Sequence, residues 1–218
     1  MRFPSRVSGV DAAGRMAHRD AVPPVLLQPG RDRSVRRRHP WLLSGSVAKV
    51  EGDPAAGDLL RVLSAEGEIL AHGHYSPRSE IRIRLLCFGK EAPGEEHLRG
   101  RIERAVARRR QAPQLQGREA LRLVNAEGDD LPGLVVDRYG EVAVVRFSTA
   151  GMAVRRERIS GILGEVSGAT SGYERAEAAA ARREGLPIRD GPLWGAPPPP
   201  ILSIREGRRC YQVDVVNG

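Results

Sequence analysis

The chain has 218 residues, a formal net charge of +8 and a sequence pI of about 10.4, with 40% hydrophobic and only 4% aromatic residues. This hydrophobic fraction is enough for packed cores and excludes a wholly disordered protein. The positive charge favours polyanionic partners, foremost nucleic acid. Cys87 and Cys210 stand alone, without metal-ligand spacing, and are typical of a reducing compartment. No apolar run approaches the ~20 residues of a membrane span, so we expect a cytoplasmic protein that does not bind membranes.

Short strand-like runs separated by turn residues fill the first part of the chain. Residues 81–85 alternate strictly, which places Arg82 and Arg84 on one face of a strand. Pro77 precedes them and cannot join a strand ladder. Five or six short strands in ~70 residues predict a small barrel-like β domain. The expected strands are 25–27, 47–50, 58–63, 69–75 and 81–85.

A basic helix is expected next, at 95–111, because Leu98, Ile102, Ala105 and Val106 recur at helical spacing. Acids at its start and arginines at its end suit the helix dipole, which explains part of the charge pattern without a ligand. The rest of the chain predicts mixed strands and helices. Strands are expected at 121–124, 133–136, 142–147, 169–173, 201–204 and 211–216, and helices at 151–163 and 175–183.

The densest early cluster of charge is the stretch 36–41, Arg-Arg-Arg-His-Pro-Trp. Guanidinium groups bind phosphate in a bidentate and always charged way, and an aromatic ring beside them can stack on a base. The pattern therefore favours RNA contact. The alternative is a solvated basic turn in which Trp41 fills a small core.

The sequence offers no self-evident catalytic centre. It lacks a Gly-x-Gly-x-x-Gly loop after a strand, a phosphate-binding loop and a His-Glu-x-x-His motif. His72 and His74 share one face of a strand, but no third ligand is apparent, so no metal site is predicted. Acids at 127–130 and at Asp137 are typical of turn capping and local ion pairs.

The last strand runs directly into Asn217-Gly218, a strong turn signal with nothing after it. This abrupt end favours an N-terminal piece of a longer protein. At the other end, residues 1–21 lack periodicity and are expected to be a disordered extension.

Four ordered segments resemble the bacterial large-subunit (23S) ribosomal RNA cytosine-C5 methyltransferases, which open with a PUA RNA-binding domain. The first is Arg-Arg-His-Pro-Trp-Leu-Leu-Ser-Gly-Ser-Val at 37–47, and the second is Gly-His-Tyr-Ser-Pro at 73–77 with Ile81-Arg82. The third, at 123–140, contains Glu-Gly-Asp-Asp-Leu-Pro-Gly followed by Asp-Arg-Tyr-Gly, and the fourth is 173–186. Together they cover about 25–218.

The resemblance implies an α+β chain: a PUA-like β pseudo-barrel at 22–90, a basic linker helix at 91–117 and a central mixed α+β domain at 118–218. It also implies that this chain contains no Rossmann-like methyltransferase domain. In the family that domain binds S-adenosylmethionine and uses a nucleophilic cysteine. Neither Cys87 nor Cys210 stands in such a context, so no catalytic or cofactor residue is carried over and no cofactor is expected in this chain.

The function implied is RNA binding that positions large-subunit ribosomal RNA for a SAM-dependent cytosine-C5 methyltransferase, without methyl transfer by this chain alone. Whether the chain is itself an enzyme stays open, as does a homodimer. The alternatives are a stand-alone RNA-binding or ribosome-associated adaptor, and a protein-interaction module whose basic face is incidental. The expected RNA contacts are Arg36, Arg37, Arg38, His39 and Trp41, followed by Tyr75, Ser76 and Arg78.

Overall fold

The computed structural model describes residues 22–94 and 96–217; the expected extension at 1–21 lies outside them. The chain forms two sheets, a separate hairpin and five helices within these ranges. The strands are β1 (Pro24–Leu27), β2 (Trp41–Leu43), β3 (Val47–Val50), β4 (Leu59–Leu63), β5 (Ile69–Tyr75), β6 (Ile81–Phe88), β7 (Ala120–Asn125), β8 (Leu134–Tyr139), β9 (Val142–Phe147), β10 (Ser171–Glu174), β11 (Gly191–Trp194), β12 (Leu202–Glu206) and β13 (Arg209–Val213). The helices are α1 (Arg33–Arg36), α2 (Glu96–Gln111), α3 (Ala150–Ala153), α4 (Arg156–Val166) and α5 (Ala178–Glu184).

The first sheet has the order β2-β6-β5-β4-β1-β3, with β1 and β4 parallel and the other pairs antiparallel. The two edge strands, β2 and β3, are joined by only three residues, Ser44–Ser46, which form a single 3₁₀ turn. Three residues span at most ~10 Å. The sheet must therefore curl until its edges meet, which produces the expected pseudo-barrel.

One hydrophobic core fills this curled sheet, and we call the sheet together with α1 the first unit. Inward-facing residues of the strands alternate with more exposed ones, as in Val25 and Leu27 of β1 and Leu60 and Val62 of β4. The short helix α1 adds Val35 to the same core. The basic residues around α1 are thus attached to a packed framework.

The second unit is built on a five-stranded sheet of order β11-β10-β9-β8-β7. Its strands are antiparallel except β9 and β10, which are parallel and connected through α3 and α4. This is a βαβ crossover. The single helix expected at 151–163 is two helices, because Thr149 caps α3 and a new helix starts at Arg156.

The basic helix α2 belongs to the core of the second unit. Ile102, Ala105 and Val106 are at most 2% exposed and pack with residues of β7, β8, β9 and α4. The apolar stripe of α2 therefore packs into this core, while the arginines of α2 lie on its remaining faces. At the far end of the chain, β12 and β13 form a two-stranded hairpin. Within the described ranges, no helix is long and apolar enough to cross a membrane.

The two units are joined by buried polar contacts. Glu184 of α5 is 3% exposed, accepts a hydrogen bond from Ser76 Oγ (2.6 Å) and pairs with the Arg84 guanidinium at 2.9 Å. The backbone N–H of Ala150 also donates to Glu184, at 3.2 Å. We call these four residues the junction cluster. Two carboxylate oxygens thereby hold β5, β6 and the start of α3 together.

Candidate nucleic-acid interface

An open groove with a volume of about 1090 Å³ runs along the first unit beside α1 and β2. Its walls are basic and its floor includes an aromatic ring. The lining residues are Gly30, Arg31, Arg33, Ser34, Arg37, Arg38, His39, Pro40, Trp41, Leu43 and Ser46. We call this the basic groove. Four arginines line one continuous surface there.

Three of these arginines keep their charge available. Arg31, Arg33 and Arg37 are exposed, and none of them forms an ion pair with a residue that the structure describes. Arg31 and Arg33 were not among the sequence-predicted contacts. Their short sequence distance from Arg37 could have indicated them, because the single helical turn of α1 brings both into the same wall as Arg37.

Arg36 and Arg38 are held in other ways. Arg36 lies between two carboxylates, at 2.6 Å from Asp32 and 2.5 Å from Glu68. Arg38 adopts a left-handed backbone (φ 59°) at the end of α1, where its N–H donates to the carbonyl of Val35. Its guanidinium carbon lies 5.6 Å from the centre of the Phe88 ring. Arg36 therefore braces α1, whereas Arg38 spans the groove and the adjacent barrel wall.

The aromatic end of the groove is fixed from two sides. Trp41 is 39% exposed, and its indole N–H donates to Glu127 of the second unit at 2.9 Å. Its backbone N–H donates to Nδ1 of His39 at 3.2 Å, and the two rings meet edge to face at 5.8 Å. A tryptophan so anchored still presents exposed ring surface on which a base can stack.

The second group of expected contacts lies apart from the basic groove. Tyr75 packs against the first core, and Ser76 is fully buried with its hydroxyl donated to Glu184. Arg78 is exposed, but its side chain lies over Gly185 at the end of α5. The loop that follows β5 therefore serves the contact between the units, and only Arg78 of this group is open to a ligand.

The acidic turn of the second unit is a structural feature. Asp129 is 4% exposed, accepts a hydrogen bond from the Asn125 backbone at 2.7 Å and pairs with Arg109 at 2.5 Å. Asp137 pairs with Arg122 at 2.7 Å and with Arg146 at 3.1 Å. These acids fasten α2 and β8, which leaves no reason to assign them proton transfer.

His72 and His74 of β5 are both buried. In the ranges 22–94 and 96–217, no group of three histidine, cysteine or acidic side chains is arranged to hold a metal ion. Burial lowers the pKa of His72, and it lowers the pKa of His74 to about 3 with Arg155 and His97 adding to the effect. Both rings are therefore neutral at physiological pH.

Known proteins are similar to the first unit alone and to both units together. The family model of the PUA-like domain matches residues 25–88, which confirms the PUA-like expectation for the first unit. The chain is 36% identical over 195 residues to Ribosomal RNA large subunit methyltransferase I of Pseudoalteromonas translucida, and 36% identical over 194 residues to that of Vibrio parahaemolyticus. The corresponding Klebsiella pneumoniae protein is 34% identical over 197 residues.

These matches cover 89–90% of this chain and 49% of each relative. The chain therefore spans about half the length of the curated relatives it matches. In sequence, the chain thus resembles one half of these ribosomal RNA methyltransferases.

Two solved structures share the fold. A protein assigned as a SAM-dependent methyltransferase from Streptococcus mutans superposes with a TM-score of 0.72 at 17% identity, over 89% of this chain and 49% of that one. A second structure, of a protein assigned as a methyltransferase and complexed with SAH, gives a TM-score of 0.73 at 17% identity over 89% and 48%.

This likeness corrects the expected fold class. The expectation that the chain has no Rossmann-like methyltransferase domain is wrong, because its fold matches methyltransferase structures across both units. The physical reason for the error lies in β9 and β10. Strand patterns alone do not show that these strands are parallel and bridged by α3 and α4, the βαβ arrangement from which doubly wound sheets are built.

Proposed function

We propose that this chain binds large-subunit ribosomal RNA through the basic groove, as the RNA-positioning part of a SAM-dependent cytosine-C5 methyltransferase. The proposed contacts are Arg31, Arg33, Arg37, Arg38, His39 and Trp41, with Arg78 as a peripheral one. Arg36 supports α1, and Ser76 and Tyr75 support the junction between the units. The sequence similarity to ribosomal RNA methyltransferases supports the substrate class.

One observation carries the proposal: guanidinium groups that form no ion pair with any described residue line the same open groove as an exposed tryptophan. Arginines supply phosphate contacts, and the ring supplies a stacking surface for an unpaired base. A merely solvated basic turn would need no such arrangement. It would also not need Trp41 anchored by Glu127 from a segment 86 residues away.

The experiment is fluorescence anisotropy with structured fragments of large-subunit ribosomal RNA at several salt concentrations. Phosphate contacts make log affinity fall linearly with log salt, by roughly 0.7 to 0.9 per neutralised phosphate. Arg37→Gln should reduce the slope by about 1. The triple variant Arg31→Gln, Arg33→Gln, Arg37→Gln should reduce the slope by roughly 2 to 3, because each substitution removes one phosphate contact.

Two matched controls separate the groove from the overall charge. Arg182→Gln removes the same charge from the exposed face of α5, outside the groove, and should leave the slope unchanged. Arg36→Gln should also change the salt slope little, because the Arg36 guanidinium is already paired with Asp32 and Glu68. Equal losses per charge removed in all four variants would show that affinity follows net charge, and would contradict a site in the basic groove.

The methyl donor is tested separately. No Gly-x-Gly-x-x-Gly loop follows a strand in the sequence, and the expectation of no donor site in this chain stays a prediction. Calorimetric titration with S-adenosylmethionine measures it directly. Saturable heat at one equivalent would overturn that expectation while leaving the groove proposal intact, because the groove residues are assayed by RNA affinity alone.

A further inference from the structure

A second, smaller cavity of about 190 Å³ lies where the two units meet. It is distinct from the basic groove, with which it shares no lining residue. Strands β4 to β6 form one wall, and α2, α3 and α4 with their connections form the other. The lining residues are Leu59, His74, Leu86, Pro93, Gly94, His97, Leu98, Arg101, Leu131, Met152, Arg155 and Arg158.

Among the residues that the structure describes, every charged or titratable side chain in this lining is basic. Three arginines and two histidines face a space whose other walls are leucine, methionine, proline and glycine. Burying cations in such surroundings is costly unless an opposite charge is near. The nearby acids that act on these arginines, Asp58 and Asp130, are exposed and do not line the cavity.

Two of the arginines are held by neutral groups. Arg101 donates to the backbone carbonyls of Leu86 (2.5 Å) and Asp130, and Arg155 donates to those of Gly57 and Gly151, both at 2.8 Å. Neither forms an ion pair with a carboxylate in the described part of the chain. Burial lowers the pKa of both guanidinium groups. Their positions are thus fixed, while their charge is not balanced at contact distance.

The two histidines complete the arrangement. His74 is 5% exposed, and its ring lines the cavity. The Nε2 atom of His97 is buried without a hydrogen-bond partner among the described residues. A buried polar atom in a folded protein normally has a partner. Here both rings line the same cavity, so a ligand held there would lie beside the free Nε2 of His97.

We propose that this cavity is an anion-binding site for a phosphate-type oxyanion. Oxygens of such a group would accept hydrogen bonds from His74 and His97 and balance the charge of Arg101 and Arg155. Arginine with histidine is the donor set that suits a compact, multiply charged oxyanion. Because the walls come from both units, the bound anion would bridge them.

Histidine NMR in the full 218-residue chain provides the first test. Inorganic phosphate is titrated against the ring resonances of the five histidines, with chloride used to keep ionic strength constant. His74 and His97 should shift along one saturation curve, and their pKa values should rise, since a bound anion favours the protonated ring. His39 lies in the basic groove and should not follow that curve.

Variants then assign the binding. His97→Gln and Arg101→Gln should each weaken phosphate affinity by about tenfold, the effect of losing one charge-assisted hydrogen bond. Arg99→Gln is the matched control: it lies on the same helix α2, pairs with Glu165 at 2.8 Å and does not line the cavity. Circular dichroism confirms folding, and His97→Gln keeps the test valid if Arg101→Gln does not fold, because no described residue bonds to Nε2 of His97.

The source of the oxyanion is decided by competition. Short RNA with and without a 5′-phosphate is added to phosphate-loaded protein; displacement only by the 5′-phosphorylated strand assigns the site to an RNA terminus, and no displacement by either assigns it to a free anion. Absence of saturable binding up to about 20 mM phosphate, well beyond the range of a specific site, would overturn the proposal. Equal weakening in Arg99→Gln would overturn it as well. Neither result would touch RNA binding in the basic groove.

Discussion

At the scale of single residues, the contact between His74 and Gly151 shows how closely the units approach. A Cβ atom on Gly151 would lie 2.2 Å from Nδ1 of His74, so only glycine fits beneath this ring. The ring is consequently shielded from water on that side. The other sides of the His74 ring face the cavity, where the positive charge of Arg155 and His97 opposes its protonation. Environment, and not sequence context, sets the protonation state of this histidine.

The low pKa of His74 predicts acid sensitivity in a defined window. The folded chain binds a proton at this ring only near pH 3, whereas the unfolded chain does so near pH 6.5. Between these values the unfolded state holds more protons, so the free energy of unfolding falls as pH is lowered. The slope due to this residue approaches about 1.4 kcal/mol per pH unit. His72 and His97, whose pKa values are also lowered, act in the same direction.

Urea unfolding at pH 7.5, 6 and 5 measures this slope. His74→Gln should make it shallower, because the neutral amide has no proton to gain. His39→Gln, at an exposed position in the basic groove, is the control and should keep the original slope. If His74→Gln and the unmodified chain lost stability at the same rate, the acid sensitivity would have to come from other groups.

At the scale of elements, the short helix α5 matters through its last residue. Glu184 reaches out of the second unit to Ser76 and Arg84 of the first, and also accepts the N–H of Ala150 at the start of α3. Its side chain is 2% exposed, and that of Arg84 is 11% exposed. A helix of seven residues has little stability of its own. The junction cluster therefore stabilises α5 as much as α5 supports the cluster.

Glu184→Ala should lower the free energy of unfolding by roughly 3 to 5 kcal/mol, since it leaves the buried Arg84 charge without its partner. Glu184→Gln should cost less, because the amide oxygen still accepts from Ser76. Chemical denaturation measures both. Glu177→Ala, at the exposed start of α5, is the control and should change stability by no more than about 0.5 kcal/mol. A Glu184→Ala loss as small as the control's would show that the junction cluster contributes little.

At the scale of the whole molecule, the contacts between the units are tight enough to make them unfold together. Arg155 donates across the junction to Gly57, and Trp41 to Glu127. Gly57 itself is packed so closely that an added Cβ would lie 2.8 Å from the Ala150 carbonyl oxygen and equally near Val154. Calorimetry should therefore show one transition whose van't Hoff and calorimetric enthalpies agree.

Gly57→Ala should divide that transition into two by forcing the units apart. Gly67→Ala is its matched control. Both glycines have left-handed backbones, with φ of 91° and 88°, but a Cβ at Gly67 meets nothing within 4 Å. Both variants pay about 1 to 3 kcal/mol of backbone strain, and only Gly57→Ala should also break the coupling. Two transitions in Gly67→Ala as well would trace the splitting to strain in the first unit.

The sequence predicted local features well and their long-range partners poorly. Period-two alternation located β6, and the apolar stripe located α2, because both patterns reside in neighbouring residues. Nothing local indicates that Trp41 donates to Glu127 or that Ser76 is buried against Glu184, 108 residues away. For the same reason the motif around Ser76, expected to touch RNA, lies between the units. The parallel pairing of β9 with β10 was missed because pairing partners are set by tertiary packing.

The three-residue turn between β2 and β3 has a consequence for recognition. Leu43, which precedes this turn, and Ser46, its last residue, both line the basic groove, so the proposed RNA site sits on the seam where the barrel closes. Strand pairing on both sides of the seam sets the groove's width. The proposed RNA affinity is thereby tied to the closure of the first sheet, so loosening β2 or β3 should change the groove even where no altered residue lines it.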